Sequence, residues 1–171
     1  ARNNVIEALD FLSRFRKKRE TLHLGKYIAV AGGGNTAMDS ARAALTLPGV
    51  EGVSVLYRRT KIEMPADLEE FDNAVEEGAE FVFLSLPEQF DGKGGLVCRK
   101  MVLGTPDASG RRRPEPTKET FTTPAETLIT AIGEHVDTNL LKTFEIPLNG
   151  DGWAFVNEET LETKEEGVYL I

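Results

Sequence analysis

The sequence predicts an α/β fold with a central parallel sheet, and two observations lead to it. Strand-like and helix-like segments alternate through residues 27–86, and a glycine cluster at 32–34 joins the first of these strands to the first of these helices. Such alternation implies parallel strands joined by right-handed crossovers. Beyond Leu86, turn-linked strands replace the helices. An antiparallel β-meander is therefore expected in place of one crossover.

The first predicted element is an amphipathic helix over residues 3–19. Its apolar residues recur at helical spacing: Val5, Ile6, Leu9, Leu12 and Phe15. Gly25 then breaks the chain before a predicted strand over residues 27–31. The second predicted helix, residues 36–47, carries small residues spaced for close packing on a sheet: Ala37, Ala41 and Ala44.

Two further strands and one helix complete the alternation. The strands are predicted over residues 53–57 and 80–86, and the helix between them opens at Pro65 and ends at Gly78. The inward face of this helix is expected to consist of Leu68, Phe71 and Val75.

The meander is predicted in the second half of the chain. A turn at residues 91–95 leads to a strand over 96–103, and a long polar loop is expected over 104–116. Phe121 and its neighbours form another strand before an apolar strand over 127–132. After these strands, a short helix capped by Asp137 is expected to end near Phe144.

The glycine cluster follows a strand and precedes a helix, which is the context that a dinucleotide-binding fingerprint requires. In the pattern G-x-G-x-x-A, Gly32 permits the tight turn, Gly34 lets the backbone approach a pyrophosphate, and Ala37 lets the helix lie against the strand. The helix N-terminus adds N–H groups and a partial positive charge. The predicted fold is thus a Rossmann-like, three-layer FAD/NAD(P)-binding domain. The candidate pyrophosphate contacts are Gly32, Gly33, Gly34, Asn35 and Thr36.

Basic residues follow the second strand, where NAD-binding units commonly place an acidic residue for the ribose hydroxyls. Arg58 and Arg59 stand there, with Lys61 just beyond. Guanidinium groups suit a 2′-phosphate, so the sequence favours NADP(H) over NAD(H). The competing interpretation is that these are ordinary surface cations. S-adenosylmethionine and FAD sites usually have a carboxylate at this position, and they are therefore disfavoured.

Composition narrows the class of protein further. The net charge of −8 argues against a general nucleic-acid or anionic-membrane binder. The single cysteine, Cys98, excludes a disulfide framework and a multi-cysteine metal site within these 171 residues. No apolar run approaches the roughly 20 residues of a membrane span. A cytoplasmic location is expected.

Several motifs occur together in a characteristic order. They are GGGNTAMD at 32–39, VLYRR at 55–59 followed by Met64-Pro65, EEG at 76–78 with Glu80-Phe81, PDASGRRRP at 106–114 and TAIG at 130–133. In this order they resemble the glutamate synthase small-subunit family, which includes selenate reductase-like subunits and the flavin-bearing part of dihydropyrimidine dehydrogenase. The resemblance runs from about Asn4 to Ile171.

The resemblance implies the NADPH-binding domain of a pyridine nucleotide:flavin oxidoreductase. In that family NADPH passes hydride to FAD, and electrons continue through iron–sulfur clusters to an acceptor site. The family's FAD glycine motif and cluster cysteines are absent from this sequence, so FAD and the clusters are expected to bind elsewhere in a parent protein. No catalytic or metal-binding residue is predicted here, and the chain alone is expected to be inactive.

The resemblance also implies how the chain is divided. Residues 1–24 would be an N-terminal helix leading into the domain, 25–144 the NAD(P)-binding domain, and 145–171 a partial return into an FAD-binding domain of the same parent chain. The last five residues read as an unfinished strand, which favours a piece of a larger protein. The alternative is a non-catalytic module that senses NADP(H) or serves as a scaffold.

One further candidate segment ends the apolar strand over 127–132. Ala131, Ile132 and Gly133 are predicted to lie along the cofactor, because α/β ligands bind at the carboxyl ends of strands. Gly133 could equally be only the bend that ends the strand.

Overall fold

The computed structural model describes residues 4–108, 110, 112–133, 138–150, 152–157 and 159–170. The chain forms two compact units, Ala1–Gly133 and Glu134–Ile171. The strands described in the first unit are β1 (Asn4–Glu7), β2 (Tyr27–Gly32), β3 (Gly52–Tyr57), β4 (Glu80–Phe83), β5 (Ser85–Phe90), β6 (Gly95–Pro106), β7 (Arg112–Pro124) and β8 (Thr127–Ala131). The α-helices described there are α1 (Ala8–Lys18), α2 (Asn35–Leu45) and α3 (Leu68–Glu76).

Five strands form a parallel sheet in the order β1-β8-β2-β3-β4, and β5-β6-β7 form an antiparallel sheet. The meander stands between β4 and β8 in the chain, where a crossover helix would otherwise lie. This arrangement confirms the predicted α/β, Rossmann-like fold with a meander in place of one crossover.

The parallel sheet is covered on both faces, which makes three layers. Residues of β2 alternate between the two cores: Ile28 and Val30 pack with Phe11 and the helices, whereas Ala29 packs with Cys98 of the meander. All five side chains are at most 1% exposed. A strand buried on both faces has to be apolar throughout, and this explains the continuous hydrophobic character of β2.

Helix α2 lies against the sheet through its smallest residues. Ala37, Ala41 and Ala44 are fully buried on the helix side of the sheet, as the sequence predicts. Because these side chains end at Cβ, the helix backbone can approach β2, β3 and β8 closely. The start of α2 therefore follows the end of β2 after a turn of only two residues, Gly33 and Gly34.

The predicted helix over residues 3–19 is wrong in its first turn. Residues Asn4–Glu7 form β1, which pairs in parallel with β8, and the helix begins only at Ala8. Its buried face includes Phe11, whereas Val5 and Leu9 are about half exposed. The reason is non-local, since the partner of β1 lies far along the chain and helical spacing alone cannot reveal it.

Helix α3 also turns a different face to the core than the sequence predicts. Phe71 and Ala74 are buried, but Leu68 and Val75 are 65% and 45% exposed. The ring of Phe71 lies 4.4 Å, centroid to centroid, from Phe81 of β4. This aromatic contact fixes the rotation of α3 about its axis.

The predicted strand over residues 80–86 is divided between the two sheets. β4 belongs to the parallel sheet and β5 to the meander, and Leu84 between them has φ +52°. The Leu84 amide donates to the Arg59 carbonyl at 3.0 Å, and its own carbonyl accepts from the Met101 amide at 2.8 Å. Leu84 is therefore the corner at which the chain leaves the parallel sheet.

The prediction of a long polar loop over residues 104–116 is wrong. β6 continues to Pro106 and β7 begins at Arg112, so paired strands occupy most of that segment. Pro114 and Pro116 make the segment look like a loop, but β7 is an edge strand of its sheet. Proline is tolerated there because an edge strand leaves some backbone groups without a ladder partner.

The second unit contains helix α4 (Thr138–Thr143) followed by isolated bridges such as Leu148↔Ala154 and Val156↔Thr163. The predicted cap Asp137 lies outside the described residues. In the ranges that the structure describes, no helix has both the length and the apolar character to cross a bilayer.

Burial makes the thiol of Cys98 a weaker acid than an exposed cysteine thiol. The side chain is fully buried between the sheets, and desolvation, aided by the negative charge of Glu88, raises the pKa of Cys98 to about 11. A thiol reagent at pH 8 should therefore leave the folded chain unmodified and titrate one thiol after denaturation. Reaction at the folded-state surface would contradict this burial.

The same pKa shift predicts an alkaline loss of stability. Because the unfolded state releases the thiol proton at a lower pH than the folded state, the free energy of unfolding should decline from about pH 9 upward. In paired chemical denaturation curves measured across this pH range, C98A should lack this component of the decline.

Candidate functional site

Strand β2 ends in a glycine turn whose first member cannot carry a side chain. Gly32 has φ +152° and pairs with Ala131 of β8. A Cβ at Gly32 would overlap the carbonyl oxygen of Ala131. Both the backbone conformation and this contact require glycine, so Gly32 allows β2 and β8 to stay adjacent where they end.

The next two glycines have different surroundings. A Cβ at Gly33 would lie 2.5 Å from Cε2 of Tyr57, so the tyrosine ring fills the space of a side chain there. A Cβ at Gly34 would meet no atom of the described chain within 4 Å. The packing of the described residues does not require glycine at this position, and the space in front of its backbone is open.

Helix α2 begins beside this open space with no acidic side chain in its first turn. The carbonyl of Gly34 accepts from the Ala37 amide at 2.9 Å, and Gly34 has no side chain to cap the helix. Asn35, the first helical residue, directs its side chain to Asp67, and Thr36 follows it. The positive end of the helix thus lies at the carboxyl ends of the strands, where α/β folds bind anions.

The two predicted arginines follow β3 directly but differ in exposure. Arg58 is exposed, whereas Arg59 is only 9% exposed. The Nε of Arg59 is buried and has no hydrogen-bond partner among the described residues. An unpaired buried guanidinium nitrogen is costly. The backbone of Arg59 is held in place because the Arg59 carbonyl accepts a hydrogen bond from the Leu84 amide.

Lys61 is oriented toward α3. Its Nζ lies 3.8 Å from Oδ1 of Asp72 and 3.9 Å from the centroid of the Phe71 ring. The side chain is about half exposed, so the ion pair adds little stability.

A compact segment, residues 60–67, links the arginines to the glycine turn. The Glu63 carboxylate accepts from the Thr60 amide at 3.1 Å and from its hydroxyl at 2.5 Å. These bonds, that of the Thr60 hydroxyl foremost, lower the pKa of Glu63. The hydroxyl of Tyr57 donates to the Glu63 carbonyl at 2.7 Å. The Ala66 amide donates to the Gly33 carbonyl at 3.0 Å, which brings the segment back to the turn.

The last predicted site segment lies where β8 ends, next to the glycine turn. Ala131 pairs with Gly32, and Ile132 beyond it is 79% exposed. Gly133 has φ +139°, a backbone conformation that favours glycine. The structure thus brings the end of β8 beside the end of β2.

Sequence reasoning missed three residues of this region: Tyr57, Ala66 and Asp67. Tyr57 reads as one more apolar residue of a strand, and Asp67 reads as an ordinary helix cap. Neither residue type signals a partner more than twenty positions away in the chain.

Together, the parallel sheet, the glycine turn leading into α2, and the meander define a domain of the FAD/NAD(P)-binding oxidoreductase class. Comparison with known proteins makes this specific. The family model described as pyridine nucleotide-disulphide oxidoreductase matches residues 3–171. The chain belongs to this family.

Several curated proteins are similar in sequence. YgfK of Escherichia coli K12 is 49% identical over 168 residues, covering 98% of this chain and 16% of that protein. The NADPH-Fe(3+) oxidoreductase subunit beta of Geobacter sulfurreducens is 45% identical over 78% of this chain and 20% of its own length. The glutamate synthase [NADPH] small chain of Azospirillum brasilense is 33% identical over 97% of this chain and 38% of its own length. The chain therefore spans well under half the length of these relatives.

Solved structures share the fold at low sequence identity. FprA from Mycobacterium tuberculosis has a TM-score of 0.69 at 19% identity, covering 94% of this chain and 50% of that one. T. acidophilum thioredoxin reductase has a TM-score of 0.66 at 16% identity, covering 98% of this chain and 47% of that one.

The different surroundings of the glycines predict different costs of adding a methyl group. G32A should reduce the free energy of unfolding by roughly 2–3 kcal/mol, because strain and overlap with the Ala131 carbonyl act together. G34A should cost less than about 1 kcal/mol, because it only replaces glycine at a helix cap. Urea unfolding of both variants measures the difference, and equal costs would contradict the geometry of the turn.

Proposed function

We propose that this chain is the NADPH-binding domain of a larger flavin oxidoreductase. The carrying observation is the arrangement of an open glycine turn beside two arginines, one of which has a buried, unpaired Nε. The names of the Geobacter and Azospirillum relatives, which specify NADPH, support the same cofactor.

The glycine turn would hold the pyrophosphate. The open space at Gly34 fits a group that approaches the backbone closely, and the start of α2 offers the amides of Asn35 and Thr36. Gly32 and Gly33 shape the turn against Ala131 and Tyr57. The first turn of α2 itself carries no acidic side chain, and the nearby Asp67 carboxylate accepts a hydrogen bond from Asn35.

Arg58 and Arg59 would hold the 2′-phosphate. An oxyanion beside Arg59 would give its buried Nε the acceptor that the described residues do not supply. Arg58, exposed next to it, can complete a two-arginine site. Lys61 would contribute mainly by charge, since its side chain contacts Asp72 and Phe71.

The remaining site residues would orient the nucleotide along the carboxyl edge of the sheet. Ala131, Ile132 and Gly133 follow β8, and the exposed Ile132 offers an apolar contact to a ring of the cofactor. NADPH, when bound, supplies a hydride to an acceptor. This chain's part would be to bind and orient the nucleotide.

In the parent protein, the proposed acceptor of the hydride is FAD on another domain of the same chain, from which electrons pass to iron–sulfur clusters. The relatives are more than twice as long as this chain, and the name of the Geobacter protein describes a subunit. Residues 145–171 would belong to the return into the FAD domain. A cytoplasmic location of the parent protein is also proposed.

Calorimetric titration of the chain with NADPH and NADH tests the proposal. The wild type should bind NADPH more tightly, and R58A and R59A should each weaken NADPH by about 10- to 100-fold while changing NADH little. R16A on α1 removes the same charge from an exposed helix face and serves as the control. Equal binding of the two nucleotides by the wild type would overturn the 2′-phosphate assignment.

A second titration separates the two halves of the proposed site. G34A fills the open space in front of the turn, so it should weaken NADPH and NADH by the same factor. The arginine variants should change only the ratio of the NADPH affinity to the NADH affinity. If G34A left both affinities unchanged, the pyrophosphate could not lie at this turn.

A further inference from the structure

Three hydrogen bonds join the glycine turn to the segment that follows the arginines. Nδ2 of Asn35 donates to Oδ2 of Asp67 at 2.7 Å, and Oδ1 of Asn35 accepts from the Asp67 amide at 2.9 Å. The Ala66 amide donates to the Gly33 carbonyl at 3.0 Å. The Asn35 side chain is thus bonded at both ends to a single residue, which fixes its orientation.

Helix α3 lacks a side-chain cap because Asp67 makes this contact instead. Asp67 occupies the cap position of α3, but its side chain makes no cap hydrogen bond to that helix. Such a cap typically contributes about 1 kcal/mol. Asp67 instead bonds to the first residue of α2, so its position is better explained by the link between the two segments than by the stability of α3.

The other end of the segment is also held. The ring of Tyr57 lies under Gly33, and its hydroxyl bonds to the Glu63 carbonyl. Arg58 and Arg59 follow Tyr57 directly. The arginines therefore lie between two attachments to the same turn, one through the Tyr57 ring and one through Asp67.

We infer that Asn35 and Asp67 are positioning residues for NADP(H), and we name their paired hydrogen bonds the Asn35–Asp67 clamp. The clamp sets the distance between the pyrophosphate turn and the arginines, so that both phosphate groups of one nucleotide are met at once. This inference rests on the proposed function, and it identifies which residues outside the phosphate contacts determine the preference for NADPH.

The physical basis is preorganisation. The pyrophosphate and the 2′-phosphate are joined covalently through one ribose, so their separation varies little. A protein that holds its two binding regions at that separation avoids paying the entropy of ordering them on binding. Without the clamp, the segment would be attached to the turn only by the Ala66–Gly33 bond and the Tyr57 contacts, so part of its final ordering would fall to the ligand. NADH uses only the pyrophosphate region and gains nothing from the clamp.

The test compares affinities for NADPH and NADH by calorimetry on the full chain. N35A keeps the Asn35 backbone amide but removes the clamp. It should weaken NADPH by roughly 3- to 10-fold and NADH less than twofold. D67A removes only the bond to the carboxylate, because the Asp67 backbone amide still donates to Oδ1 of Asn35, so it should shift the ratio in the same direction by a smaller factor. The lost negative charge acts more strongly on NADPH, which carries the additional 2′-phosphate, so D67A is compared with D67N, which loses the same charge but keeps an oxygen that can accept from Asn35. This pair of variants also serves if N35A does not fold.

The exchanged double variant N35D/D67N distinguishes positioning from general stability. It restores a donor opposite an acceptor and keeps the net charge, so it should recover most of the wild-type ratio, whereas N35D alone places two carboxylates together and should not. A fall in affinity for both nucleotides by equal factors in N35A and D67A would overturn the clamp, as would an unchanged ratio or failure of the exchanged pair to recover it.

The two proposals fail in different places. A wild-type chain without preference for NADPH overturns the proposed function, and the clamp falls with it. A wild-type chain that prefers NADPH, combined with variants that keep the same preference, overturns the clamp alone.

Discussion

The whole first unit depends on the position of β8, which lies between β1 and β2 and pairs in parallel with both. At its start, the buried hydroxyl of Thr127 donates to the Leu24 carbonyl at 2.5 Å. At its end, the Ala131 carbonyl lies against Gly32. These contacts join the last strand of the unit to the loop before β2 and the turn after it. The edge of the sheet that carries the candidate site is thus completed only when β8 is in place.

The sequence predicts those parts of the fold whose determinants are local. The run from β2 through α2 to β3 follows from an apolar strand, a glycine turn and an alanine stripe, and each of these is readable within a few residues. Prediction from the sequence fails where the conformation of a segment is determined by a partner that is distant in the chain. β1 forms because β8 is beside it, the rotation of α3 follows from Phe81 on another strand, and Pro114 sits in a strand because that strand is an edge.

The candidate site divides in the same way. Glycines and arginines can be predicted because their chemistry is visible in the residue types and in the order of the elements. The roles of Asn35 and Asp67 could not be, because either residue at a helix start suggests a cap for its own helix. Only the packing of two loops shows that they bond to each other. Likewise, the Arg59 carbonyl accepts from the Leu84 amide at the corner of the chain, a contact between distant segments that the sequence does not reveal.

The β6–β7 hairpin has an evolutionary and practical consequence. Its turn is closed by a hydrogen bond from the Gly110 amide to the Asp107 carbonyl at 2.8 Å, and the described residues at its tip are exposed. Added sequence at such a tip lengthens a pair of strands and leaves the three layers as they are. The hairpin tip is therefore a site at which this domain can tolerate an insertion. A recognition loop could be acquired there during evolution, or a reporter sequence added by design, while the architecture around the glycine turn is retained.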